Sequence, residues 1–179
     1  ISGFIILIDQ PYRVGDVIEI EGMGKWGDVV DIGTRVTRIR TRDHRNVTIP
    51  NSKIGTSRVV NYTFPDPKFR VRKEIPVAYG SDFDQVRRVV EEAVRSVEGV
   101  LPDHPVDALF LDYGHSARQV QVRWWIDDMH QEWYIVDRVN EALEIAFAKA
   151  GIEMPVTTRD LAVSVQPRTG EQLSLPGGD

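Results

Sequence analysis

The stretch TRIRTRDHRNVTIPNSKI, Thr37 to Ile54, gathers Arg38, Arg40, Arg42 and Arg45. Guanidinium groups at alternate positions of a strand share one face and can grip phosphate oxygens. Between Thr34 and Arg58 seven basic residues (Arg35, Arg38, Arg40, Arg42, Arg45, Lys53 and Arg58) stand against one acid, Asp43, in a chain whose formal net charge is -5. Single-stranded nucleic-acid readers interleave aromatics on which bases stack, and this stretch has none. Glu19, Glu21 and Asp31 on neighbouring strands are available as cross-strand partners. The residues by themselves leave two readings open, a charge-laddered structural sheet face and a face for an anionic partner.

Other patterns that could do chemistry are weaker. Gly22-Met23-Gly24-Lys25-Trp26-Gly27 is a literal G-x-G-x-x-G. The dinucleotide fingerprint needs a helix directly after it, whose N-terminus holds the pyrophosphate. The following Asp28 to Ile32 reads as a strand, so a glycine-rich hairpin turn is expected. His44 and His115 lie in turns and His104 between prolines, and neither these nor His130 has a second ligand at metal spacing on one helix face. No serine sits on a strand-to-helix elbow beside a base. Asp127-Asp128 and Glu91-Glu92 read as solvated residues. The expectation is a protein that is not an enzyme, with no cofactor, no metal and no small-molecule substrate.

The elements that position these residues fall into two halves. Asp16–Glu21, Asp28–Ile32, Arg35–Arg42, Val47–Ile49 and Arg58–Tyr62 read as five short strands, with Thr37, Ile39 and Thr41 opposite Val36, Arg38, Arg40 and Arg42. Five strands in so short a span suggest a small closed β-barrel. Thr63-Phe64-Pro65-Asp66-Pro67 cannot continue a central strand and marks a boundary. Beyond it come a strand over Phe69–Tyr79 and a helix starting at Ser81, with Asp84 completing a box-like cap. The helix carries a stripe of Phe83, Val86, Val89, Val90, Ala93, Val94 and Val97 and ends at Gly99. Strands follow over Val106–Tyr113 and Arg118–Ile126. A second helix runs from about Gln131 to Ala150, with Gly151 at its C-cap, and Leu161–Val165 reads as a last strand. That order is β-α-β-β-α-β, the order of a ferredoxin-like sandwich.

The hydrophobic content of 41% and charged content of 27% suit a packed globular chain. Zero cysteines exclude a disulfide framework. Ile1 to Ile8 is apolar but has neither a basic flank nor a cleavage site, so it reads as a buried strand or the cut end of a longer apolar helix. Pro167 to Asp179, rich in Gly and Pro, reads as a loose tail.

Several segments resemble the small-conductance mechanosensitive ion channel family in its cytoplasmic, vestibule region. They are QPYRVGDVIEI (Gln10 to Ile20), the Gly27-Asp28-Val29 turn, TRIRTRDHRNVTIPNSKI and VVNYT (Val59 to Thr63), with weaker matches at VAYGSDFDQV, LDYG and GIEMP. The P-[YF]-R-x-G-D and R-T-x-D-x-R-x-V-x-I-P-N-S strings are specific in combination. Asp28 stands where the family usually has Thr, and the turn at Met23 to Trp26 looks longer than usual.

The resemblance implies an α+β chain. Residues 1-8 would be the end of the pore-lining helix, 9-64 an Sm-like β-barrel domain and 68-156 a ferredoxin-like α/β domain. Residues 160-166 would be a C-terminal strand of a base barrel, which reassigns Leu161–Val165 from the sandwich, and 167-179 a tail. It implies the vestibule of a tension-gated channel on the cytoplasmic side of the membrane. There the full-length protein would self-associate as seven subunits, held in the membrane through transmembrane helices that this fragment lacks, while the fragment itself would be soluble, with no nucleic-acid partner. Asp112 is the portal-lining candidate. Arg38, Arg40 and Arg42 are candidates for subunit or lipid-headgroup contacts. The alternative from another class is an Sm-like plus RRM-like RNA-binding protein, with Trp125 as the stacking aromatic.

Overall fold

A computed structural model describes residues 11–22, 26–114 and 117–155. The expectations for Ile1–Ile8, Leu161–Val165 and Pro167–Asp179 lie outside the described residues. Two antiparallel sheets form, each with its own hydrophobic cluster.

The first sheet contains β1 (Val17–Ile20), β2 (Trp26–Ile32), β3 (Val36–Thr41), β4 (Asn46–Pro50) and β5 (Val59–Asn61), in the order β4-β3-β2-β1-β5. A one-turn helix, α1 (Asn51–Ile54), follows β4 directly. Alternation works as the pattern predicts on β3: Thr37, Ile39 and Thr41 are buried and Arg38 and Arg40 are exposed. Ile18, Ile20, Val29, Ile39 and Ile49 form the cluster with Tyr12 and Ile54. Here the structure corrects the expectation of a closed barrel: β4 and β5 are the two free edges of the sheet among the described residues. At five and three residues they are short, and α1 and the turn at 55–58 separate them without pairing them. β1 and β2, on either side of the G-x-G-x-x-G stretch, pair antiparallel, and strand rather than helix follows it. Gly27 is required there, because a Cβ at that position would stand 2.6 Å from the Arg40 carbonyl oxygen.

A buried hydrogen-bond chain ties the specific sequence strings together. The Tyr12 hydroxyl lies 3.2 Å from Thr37 Oγ1, Thr37 Oγ1 donates to Asn51 Oδ1 at 2.9 Å, and Asn51 Nδ2 donates to the Gly33 carbonyl at 2.8 Å. Thr37 and Asn51 are both essentially without solvent exposure. The Asp16 side chain accepts from the Arg13 amide and from Asn61 Nδ2, while Asn61 Oδ1 accepts from the amides of Thr63 and Phe64. Gly15 turns the chain with φ 96° and donates to the Val29 carbonyl.

The second sheet contains β6 (Phe69–Val77), β7 (Asp107–Tyr113) and β8 (Arg118–Ile126) in the order β6-β8-β7. Helices α2 (Phe83–Arg95) and α3 (Glu132–Ala150) cover one face of it. Val86, Val90, Ala93 and Val94 of α2 and Ile135, Val139, Leu143 and Phe147 of α3 pack on Val77, Val120, Val122, Trp124 and Ile126. The adjacent tryptophans divide: Trp124 is buried and Trp125 half-buried on the opposite face. α2 starts one residue later than expected, because the Asp82 carboxylate rather than Ser81 accepts from the Asp84 and Gln85 amides. Gly151 adopts the left-handed conformation at φ 67°. After it the Ala78 amide donates to the Glu153 carbonyl, which brings the chain back beside the end of β6.

Substituting Asn51→Ala removes the amide that satisfies both Thr37 and the Gly33 carbonyl. The expected loss is about 1–3 kcal/mol of stability, read as a lowered urea midpoint with an unchanged slope.

Candidate functional site

The arginines of β3 do not share one environment. A bulge between Val29 and Asp31 places Asp31 opposite Arg38, and the two form a 2.7 Å ion pair with both side chains about half exposed. Such a pair contributes about 0–1 kcal/mol. Arg40 stands opposite Asp28 in the register, but the Asp28 carboxylate is bonded elsewhere, to His130 Nε2 at 2.8 Å. Arg40 forms no ion pair among the described residues and is exposed. Arg58 and Glu21 make a loose 3.7 Å contact in open solvent.

Arg42, just past the end of β3, turns toward the second unit. Its guanidinium carbon sits 4.4 Å from the centroid of Trp26 and 3.7 Å from that of Trp133. Nη2 donates to the Met129 carbonyl at 3.1 Å and lies 3.7 Å from Glu132 Oε2. Nη1 is buried with no hydrogen-bond acceptor among the described residues. Stacking of this kind adds about 0.5–2 kcal/mol per ring, more as water is excluded. The seam continues through His130, which lies edge-on to Trp26 at 5.9 Å and has Nδ1 3.3 Å from Asp128 Oδ1. A short 3-10 turn, Met129–Gln131, capped by Asp128, presents these groups ahead of α3.

Tyr62 lies close to the same seam. Its hydroxyl donates to Glu19 Oε2 at 2.6 Å. Burial, that hydrogen bond and the negative charges of Glu19 and Glu132 push the phenol up to about 12. Burial also pushes the Tyr12 phenol up, against the bond to Thr37.

Asp112 is on β7, exposed, at a register shift between Phe110 and Asp112, with its carboxylate accepting from the Tyr113 amide. Its neighbours Leu111 and Tyr113 are also exposed. The structure therefore does not gather the four singled-out residues: Arg38 and Arg40 are on one open strand face, Arg42 is in the seam and Asp112 is on the other sheet. Sequence reasoning missed Asp28, His130, Glu132 and Trp133 as seam residues. The available signal was Trp133-Tyr134, two aromatics off the apolar stripe at the start of α3, both exposed. The described residues contain no group of three or more metal-ligating side chains. No helix among them is long and apolar enough to cross a membrane.

Two family models match the chain in sequence order. The mechanosensitive ion channel beta-domain matches residues 1–64, and the mechanosensitive ion channel MscS C-terminal region matches residues 71–154. The small-conductance mechanosensitive channel MscMJ of Methanocaldococcus jannaschii is 34% identical over 163 residues, which is 88% of this chain and 45% of that protein. Mechanosensitive channel MscK of Escherichia coli is 31% identical over 76% of this chain and 12% of its own length. The chain thus spans less than half the length of these curated relatives. The closed-state crystal structure of Helicobacter pylori MscS superimposes with a TM-score of 0.81 at 25% identity, over 92% of this chain and 64% of that one. The structure of Arabidopsis thaliana MSL1, at 21% identity and a TM-score of 0.67, covers 87% of this chain and 57% of that one, and shares the fold.

The Tyr62 shift carries a sign. In the unfolded chain the phenol ionises near 10, and in the folded chain it stays neutral up to about 12. Its contribution is complete below pH 10 and is lost as pH rises toward 12, because unfolding then releases a proton. Denaturant midpoints measured across that window are expected to fall less steeply in Tyr62→Phe than in the parent chain.

Proposed function

Because the chain belongs to the MscS family of mechanosensitive ion channels, we propose that it is the vestibule wall of a tension-gated channel that releases ions and small solutes on osmotic downshock. The observation that carries this reading is the ordered match of both family models across the two units, together with the superposition on a solved MscS. No chemical step is assigned to the chain. Bilayer tension would open the membrane pore, and the vestibule on its cytoplasmic side would admit small solutes and hold back larger ones.

The surface of one copy fits assembly. The order β4-β3-β2-β1-β5, with free edges at β4 and β5 among the described residues, supports reading the first unit as Sm-like, and unpaired edges of this kind invite completion by neighbouring chains. The β6-β8-β7 order under two helices supports reading the second unit as ferredoxin-like. Leu111, Tyr113, Trp133, Tyr134 and Ile145 are large and exposed on the second unit, as expected of residues awaiting a partner surface. A ring of seven copies closes such head-to-tail contacts. In that ring Asp112 lines a side portal. Arg38 and Arg40, outward on β3, meet a neighbouring subunit or anionic headgroups. Arg42 shares that role only at its exposed edge, since most of its side chain is engaged within the chain.

The RNA-binding alternative draws no support from the relatives, which are channels. The outward positions of β8 are Gln119, Gln121, Arg123 and Trp125, and Trp125 is half-buried against His104 and Arg70.

The test is survival of hypo-osmotic shock in cells deprived of their own mechanosensitive channels. The full-length gene that encodes this chain is expected to rescue them and to give stretch-activated currents in excised patches. Asp112→Lys is expected to leave the tension threshold in place and shift the reversal potential toward anion preference. Failure of rescue, with a salt-steep affinity of the chain for oligonucleotides, would instead favour the RNA-binding class.

A further inference from the structure

The hydrophobic clusters of the two units share no residue. Between the units runs the stretch from Tyr62 to Lys68, with Pro65 and Pro67 but no regular hydrogen-bonded structure. Two units joined in this way, without a common core, move relative to one another by default unless the contacts between them hold them. Something other than a common core must set their mutual angle.

We propose that Arg42 is the pin that fixes the orientation of the α/β unit on the β unit. Its guanidinium is held by one indole from each unit, Trp26 of β2 and Trp133 of α3. The same group donates to the Met129 carbonyl and approaches Glu132, so it is anchored at the turn and at the first residues of α3 together. A planar, delocalised and weakly hydrated cation can stack against two rings while donating in its own plane, which an ammonium cannot. Burial of Nη1 without an acceptor among the described residues agrees with a group whose surroundings are rings rather than water. The His130–Asp28 bond crosses the seam beside it, but both side chains are partly exposed, whereas Arg42 is about four-fifths covered, with 21% of its side chain exposed. Arg40, two residues earlier on the same strand face, is exposed and makes none of these contacts. These contacts lie within one chain and hold whether or not the assembled protein conducts ions.

The sequence contains no cysteine, so a pair of spin labels can be placed cleanly. Thr48→Cys on β4 and Glu144→Cys on α3 are both exposed, one in each unit. Labelled chains diluted into unlabelled ones report the distance within one chain by pulsed electron spin resonance. The parent chain is expected to give a single narrow distribution. Arg42→Ala is expected to broaden it at least about twofold, and Arg42→Lys to broaden it nearly as much, because charge without the planar plate does not hold both rings. Arg40→Ala is the control and stays narrow. Trp133→Ala removes the α3 half of the stack at an exposed position and is expected to match Arg42→Ala; it decides the matter should Arg42→Ala not fold. An unchanged distribution in Trp133→Ala and in any folded Arg42→Ala, or equal broadening in Arg40→Ala, overturns the proposal.

Discussion

A carboxamide with 1% exposure cannot be left without partners, and the placement of Asn51 sets the geometry of the first unit. Its donor goes to the Gly33 carbonyl before β3 and its acceptor takes the Thr37 hydroxyl on β3, while its own amide bonds to the Arg35 carbonyl. The residue after β4 is thereby locked onto the start of β3. That fixes the β3–β4 register and forces Thr37, Ile39 and Thr41 inward. Because alternation is strict, the same lock turns Arg38 and Arg40 outward and delivers Arg42, where the strand ends, to the neighbouring unit. One buried polar network thus decides which arginines meet solvent and which meets tryptophan.

The two units are stabilised by different means. In the second, a long amphipathic pair of helices seals a three-stranded sheet around Trp124, Val90, Val139 and Phe147, which is a large apolar cluster for its length. In the first, the cluster is small, and much of the specificity comes from polar side chains bonding to the backbone: Asp16, Asn51, Asn61 and Thr63. Glycine at 27 belongs to the same economy of space, since β2 and β3 approach too closely there for any Cβ. The seam between the units is different again. It is aromatic and charged, with Arg42, Asp28 and His130 in place of aliphatic side chains.

Much of this was legible in the residues. The period-two pattern of β3 and β8 and the stripes of α2 and α3 give their buried faces directly, because burial on one side of a regular element has a fixed period. α2 is capped one position after the expected Ser81, since Ser81 and Asp82 are both good caps and only the backbone direction chooses between them. Closure of the first sheet was not legible: whether β4 meets β5 depends on two short edges far apart in the chain, and alternation says nothing about a strand's neighbours. The seam was hidden for a related reason. Arg42 and Met129 are 87 residues apart, and Asp28 and His130 are 102 apart, so no local pattern links them. Arg42 looked like the third rung of a ladder whose other rungs face solvent.

The ladder itself explains why its last rung can be diverted. Arg38 has Asp31 across the sheet because the bulge after Val29 shifts the acid into place. Arg40 would have Asp28 by register, yet Asp28 gives its carboxylate to His130. The β unit therefore spends one of its own cross-strand acids on the seam and leaves Arg40 on the surface without an ion pair among the described residues. A design concerned only with the stability of that sheet would pair Asp28 with Arg40. Pairing it with His130, beside a stacked Arg42, gives up a contact inside one unit for a contact between two. That is the arrangement expected where the angle between the units matters more than the last fraction of stability within either.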